Sequence, residues 1–148
     1  MSEALPILAY REKILAELNR AGILVLSAPT GSGKSTQTPR FLLGSIHGRI
    51  LVLEPRRLSA RSLAARVAKE EGATLGGKVG YQVRFDSRSG QDTRVVFQTY
   101  GVFVQHVLRD PDLKGVDAVL LDEFHEWTLE CDLALAWRLE LRKKRPGL

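Results

Sequence analysis

Two short stretches carry residue types and spacings that could do chemistry. The first is Ala28-Pro29-Thr30-Gly31-Ser32-Gly33-Lys34-Ser35. Glycines in such a loop let the backbone curl so that successive N–H groups and a helix N-terminus face a phosphate. Lys34 can then reach the β- and γ-phosphates of a nucleotide, and the Ser35 hydroxyl can ligate Mg²⁺. Thr30, Gly31, Ser32, Gly33 and Thr36 complete the candidate nucleotide-binding set. The strict pattern opens with glycine; Ala28 stands there, small enough to permit the turn. The second stretch is Leu120-Leu121-Asp122-Glu123-Phe124-His125-Glu126. A carboxylate at that place can hold the Mg²⁺ that bridges two phosphates, and a neighbouring one can orient an attacking water. Ser35, Asp122 and Glu123 are therefore the candidate metal residues.

Such loops are expected between a strand and a helix, and the flanks agree. Ile-Leu-Val-Leu at 23–26 reads as a buried strand, and 36–43 can begin a helix. Further strands are expected at 49–53, 79–83, 94–99 and 117–122, with helices between most of them. The runs at 50–53 and 116–121 are nearly continuous in apolar residues, as in strands covered on both faces. Residues 6–21 carry a helical apolar stripe, with Pro6 suited to the first turn and Gly22 to the stop. A last helix is expected over 129–142, ending on Lys143-Lys144-Arg145 before Pro146-Gly147. The polar run at 86–92 reads as a loop. This alternation predicts an α/β domain: a mostly parallel sheet in three layers, helices on both faces. Asp122 and Glu123 would then emerge at the carboxyl end of a strand, where open α/β sheets place their ligands.

Bulk properties narrow the field. At 148 residues, 44% of them hydrophobic, the chain can bury a core. Cys131 is the only cysteine, which excludes internal disulfides and a cysteine-rich zinc site. His47, His106 and His125 are scattered, so a histidine metal cluster is unsupported. With no leader pattern at its start and no apolar run of membrane-spanning length, the chain is expected to be cytoplasmic. The net charge of +5 comes mostly from arginine and suits a polyanionic partner. From 115 to 137 the balance reverses, with acids and no Lys or Arg. Unpaired acidity at a strand end is costly unless a cation balances it. Glu126, Glu130 and Asp132 read instead as ordinary solvent-facing acids near a helix start.

The residues 28–36 together with Asp122-Glu123-Phe124-His125 resemble motifs I and II of the DEAH-box helicases of superfamily 2. Glu54-Pro55-Arg56-Arg57-Leu58-Ser59-Ala60-Arg61 resembles motif Ia, Gly80-Tyr81-Gln82-Val83-Arg84-Phe85-Asp86 the hook-turn segment, and Thr99-Tyr100-Gly101-Val102-Phe103 motif Ib. Phenylalanine in the third place of motif II is most similar to the bacterial HrpB-type members. One departure is Trp127-Thr128, where the family has Arg-Ser or Arg-Thr. The resemblance implies a RecA-like P-loop domain that binds ATP or another NTP with Mg²⁺. It implies Glu123, Lys34, Asp122 and His125 as catalytic residues, His125 coupling the nucleotide site to motif III, and Arg66 as the arginine that stacks on the base. It covers only the first of two such lobes. Motif III and the second lobe, which supplies arginine fingers, are expected beyond residue 148, so 1–148 reads as a fragment of a longer chain.

The same resemblance implies a single-stranded nucleic-acid partner, with RNA ahead of DNA and DNA left open. Bare chemistry agrees: Arg56, Arg57 and Arg61 can grip phosphates, while Thr99 and Gly101 offer a hydroxyl and an unobstructed N–H. None of these groups reads bases. The related DEAD-box group reads adenine through a glutamine upstream of motif I, and residues 1–36 contain none, so weak base selectivity is expected. Two other classes remain open: a self-contained P-loop kinase or NTPase, and a nucleotide-gated binding module.

Overall fold

The computed structural model describes residues 5–126 and 128–146. Its centre is a five-stranded sheet built from β1 (Arg49–Glu54), β2 (Val79–Val83), β3 (Asp86–Arg88), β4 (Val95–Thr99) and β5 (Val116–Leu121), in the order β3-β2-β4-β1-β5. All pairings are parallel except β2 with β3. Around it lie α1 (Arg11–Ala21), α2 (Lys34–Leu43), α3 (Arg57–Glu70), α4 (Tyr100–Arg109) and α5 (Leu129–Lys144).

Strand alternation divides the core into two layers. On one face Ile50, Val52, Val79, Tyr81, Val95 and Phe97 pack with Leu42 of α2 and Ala60, Ala64 and Val67 of α3. On the other, Leu51, Leu53 and Val96 pack with Tyr100 and Phe103 of α4 and with Cys131, Ala134 and Leu141 of α5. This is the three-layer α/β arrangement expected from the sequence. β1 is buried on both sides from Ile50 to Glu54, so truncating Leu51 to Ala would cost about 2–5 kcal/mol.

Three elements differ from expectation. Residues 23–29 form no strand, although their apolar run resembles one. They have no ladder partner, and Val25 is 88% exposed. β5 is one edge of the sheet, so Asp117 to Leu121 are half-buried rather than enclosed. At the opposite edge the polar residues 86–88, read as loop, form β3. Its register is Tyr81 opposite Arg88 and Val83 opposite Asp86. An edge strand exposed to water tolerates such polarity.

Arginines brace the loops at the amino end of the sheet. Arg49 donates to the carbonyls of Thr93, Gly90 and Gln91, and Arg94 to those of Gly48 and Ile46. Arg145, just past α5, donates to the carbonyls of Asp112, Leu113 and Val116. Pro6 opens a short 3₁₀ turn (Pro6–Tyr10) that leads into α1. Gly22, at φ +71°, ends α1 with its N–H on the Leu18 carbonyl at 2.7 Å. Gly147, expected near the last helix stop, lies outside the described residues, as does Trp127.

Candidate nucleotide and nucleic-acid site

The phosphate-loop residues form a tight turn that runs directly into α2, which begins at Lys34, two residues earlier than expected. Gly31 and Gly33 adopt φ of +83° and +93°, a region that favours glycine. At Gly33 space also demands it, because a Cβ there would lie 2.8 Å from Leu5 Cδ1. The Ile7 N–H reaches the Ser32 carbonyl at 3.3 Å, so the N-terminal turn supports the loop from outside. No side chain caps α2, which leaves its first N–H groups open to an anion. Thr30 and Gly31 are exposed, Ser32 is buried with an unpartnered Oγ, and Lys34 and Ser35 are half-buried. Lys34 Nζ has no carboxylate partner among the described residues. The Thr36 hydroxyl points back instead, donating to the Gly33 carbonyl at 3.2 Å and bracing the turn.

Motif II begins where β5 ends. The Asp122 N–H bonds to the Leu53 carbonyl at 3.0 Å, holding Asp122 beside the end of β1. The Tyr100 hydroxyl, at the start of α4, donates to the Asp122 carbonyl at 2.9 Å. Glu123 then turns with φ +50°, a left-handed conformation that costs a non-glycine residue about 1 kcal/mol or more and concentrates at functional sites. Its N–H is held by Asp122 Oδ1 at 2.9 Å, and its Oε2 meets His125 Nε2 at 3.1 Å. His125 is otherwise exposed.

One cavity of about 390 Å³ joins these elements. It is lined by Ser35 from the first motif, Asp122, Glu123 and Glu126 from the second, and Glu54 and Arg56 from the end of β1. Two buried carboxylate oxygens in this group, Asp122 Oδ2 and Glu54 Oε1, have no hydrogen-bond partner. Burial, reinforced by the charge of Asp122, pushes the Glu54 carboxyl up to about 9. The lining offers hard oxygens, two of them unsatisfied, together with Ser35. Mg²⁺ suits that set, because it takes one or two carboxylates and keeps several waters. Glu123, His125 and Glu126 also bring ligand atoms within 4.8 Å of one another.

The candidate nucleic-acid residues lie along the same carboxyl edge, since Glu54 stands opposite Thr99 in the β1–β4 register. Thr99 precedes α4, and Gly101 is exposed with open space where a Cβ would sit. The arginines are not all directed outward. Arg56 Nη2 pairs with both carboxylate oxygens of Glu126 at 3.1 Å, so Glu126 is no simple solvent-facing acid. Glu130 and Asp132 are exposed, as expected. Arg61 meets Asp86 Oδ2 at 3.4 Å and lies over the Tyr81 ring. Arg57 is exposed and has no ion-pair partner among the described residues. Arg66 pairs with Glu70 at 3.1 Å on the exposed side of α3. Sequence reasoning missed Glu54 and the Arg56–Glu126 pair. A lone acid closing the apolar run Ile50 to Leu53 was the available signal for Glu54.

Comparison with known proteins bears on this site. Residues 8–140 match the family described as DEAD/DEAH box helicase. Over 142 residues the chain is 45% identical to the ATP-dependent RNA helicase HrpB of Escherichia coli, covering 95% of this chain and 18% of that protein. It is 44% identical over 131 residues to the probable ATP-dependent RNA helicase DHX40 of Homo sapiens, covering 86% of this chain and 17% of that protein. The crystal structure of the Escherichia coli DEAH/RHA helicase HrpB superimposes with a TM-score of 0.90 at 45% identity, over 95% of this chain and 18% of that one. The chain thus spans less than a fifth of the length of these relatives. No described helix is long and apolar enough to cross a membrane.

Proposed function

Because this chain belongs to the DEAD/DEAH box helicase family, we propose that it is the first RecA-like, nucleotide-binding lobe of an ATP-dependent RNA helicase. In the full-length protein it binds ATP with Mg²⁺ and couples hydrolysis to movement along a single strand. The supporting observation is the shared cavity, lined together by Ser35 at the start of α2, by Asp122 and Glu123, and by Arg56. Lys34 and the open N–H groups of α2 bind phosphate. Ser35, Asp122 and Glu123 are the residues that would hold Mg²⁺, which would neutralise phosphate charge there. Glu123 orients and takes the proton of the attacking water, and His125 steadies its carboxylate at 3.1 Å. Thr30, Gly31, Ser32, Gly33 and Thr36 shape the loop, and Arg66 is free to exchange Glu70 for a base. Arg57, Thr99 and Gly101, with Arg56 and Arg61 once released, grip the strand's phosphates. RNA is favoured over DNA because the relatives HrpB and DHX40 are named as RNA helicases. The chain's lone cysteine suits the cytoplasm.

A self-sufficient kinase or a passive binding module has no observation in its favour. The test is single-turnover hydrolysis by the full-length protein carrying Glu123→Gln. Nucleotide affinity should stay within a few fold while the hydrolysis rate falls by at least about 10²-fold, the lower range for a general base. Hydrolysis near the wild-type rate would remove Glu123 from this role.

A further inference from the structure

We propose that Glu54 is a positioning residue of the Mg²⁺ site, accepting a hydrogen bond from a metal-bound water and holding Asp122 in its ligating orientation. The inference rests on the nucleotide–metal reading above and adds a residue to it. Glu54 closes β1, a strand whose four preceding residues are all apolar and buried. At 1% exposure it is the deepest of the cavity's acids, below Asp122 at 9%. Its Oε1 is buried without a well-formed hydrogen bond, and its carboxyl lies against that of Asp122. A buried acid kept for structure alone is normally satisfied by the protein around it. This one opens onto the cavity that holds Ser35, Asp122 and Glu123.

The depth of Glu54 sets its role. Mg²⁺ takes one or two carboxylates and retains several waters, and the less buried Asp122 and Glu123 are the acids it meets first. Glu54 is then left facing the water shell and the back of Asp122. Outer-shell partners of this kind orient the ligands that touch the metal, and their loss costs about 10–100-fold in metal affinity. They do not touch the phosphates, so metal-free nucleotide binding through Lys34 and the start of α2 should be untouched.

That separation defines the experiment. A fluorescent nucleoside diphosphate is titrated into the full-length protein, first in EDTA and then across a Mg²⁺ series. Wild type, Glu54→Gln and Glu54→Met are compared, with Glu54→Leu as a second apolar variant if methionine does not fold. We expect the apolar variant to match wild type in EDTA but to need about 10–100-fold more Mg²⁺ for its half-maximal gain in affinity. Glutamine, which keeps an oxygen acceptor and an amide donor, should stay within a few fold of wild type. An unshifted Mg²⁺ requirement in the apolar variant would overturn the proposal. So would an equal loss with and without Mg²⁺, which marks a structural role. Wild-type affinity indifferent to Mg²⁺ would instead overturn the metal reading itself, and this proposal with it.

Discussion

Glu54→Gln should stabilise the metal-free chain by an amount that grows with pH. The folded carboxyl is pushed up to about 9 from its ordinary 4.5, by burial first and by Asp122 second. Between those values the folded state holds a proton that the unfolded state has released, so stability falls as pH rises. The contribution is complete below pH 4.5 and gone above about 9. Each unit in between costs about 1.4 kcal/mol. Glutamine carries no such proton, and any change in packing or hydrogen bonding it brings is independent of pH. Moving from about pH 5.5 to about 8.0, roughly two and a half units, should widen the advantage of Glu54→Gln by about 3 kcal/mol. In a domain of this size that is roughly 6–12 °C in Tm. Urea unfolding of both proteins at the two pH values, in EDTA so that no cation neutralises the site, measures the difference directly. A gap that stays constant with pH would show that the Glu54 carboxyl ionises freely in the fold and would refute the reasoning.

Lys34→Ala should weaken nucleotide binding by about 1.5–3 kcal/mol, the scale of a charge-assisted hydrogen bond, as read by titration calorimetry. Arg57→Ala should reduce the salt slope of single-strand binding by roughly 0.7 for the one phosphate no longer neutralised, equally across sequences. Glu126→Gln should tighten single-strand binding by up to about five-fold, because it frees Arg56 from an exposed pair worth at most about 1 kcal/mol; filter binding at several salt concentrations reads both variants. The 148-residue chain by itself should release phosphate at least about 10³-fold more slowly than the full-length protein with RNA, the minimum effect of an absent arginine finger. Robust RNA-stimulated turnover by the short chain would contradict that.

How far the sequence could be read depended on how local each signal was. The strands at 49–54, 79–83 and 95–99 announce themselves, because burial on both faces favours runs of apolar residues; 116–121 carries the same kind of run although it lies half-buried at the sheet edge. The turn glycines are equally legible, since positive φ leaves few other choices. The errors came where pairing decides. Residues 23–27 have a strand's composition and no partner, while 86–88 have a loop's composition and lie against β2. Composition describes a residue's appetite for burial, and a ladder needs a neighbour as well. The pairing of Arg56 with Glu126 joins residues 70 apart in sequence, so no local pattern could report it. The upward push on Glu54 was hidden for the same reason: it comes first from burial in the assembled fold and second from Asp122, which arrives from just past the end of β5.

The support of the phosphate loop by Leu5 and Ile7 gives the molecule a handle. Leu5 fills the space that a side chain at Gly33 would need, and Ile7 holds the Ser32 carbonyl. Residues 5–10 and the loop are therefore expected to move together. Drawing the arm outward should then lower nucleotide affinity, and nucleotide should tighten the arm by the same factor, since such coupling is reciprocal. Amide exchange at Ile7, slowed by nucleotide, is where that traffic would be read; an unchanged rate would show the two to be uncoupled.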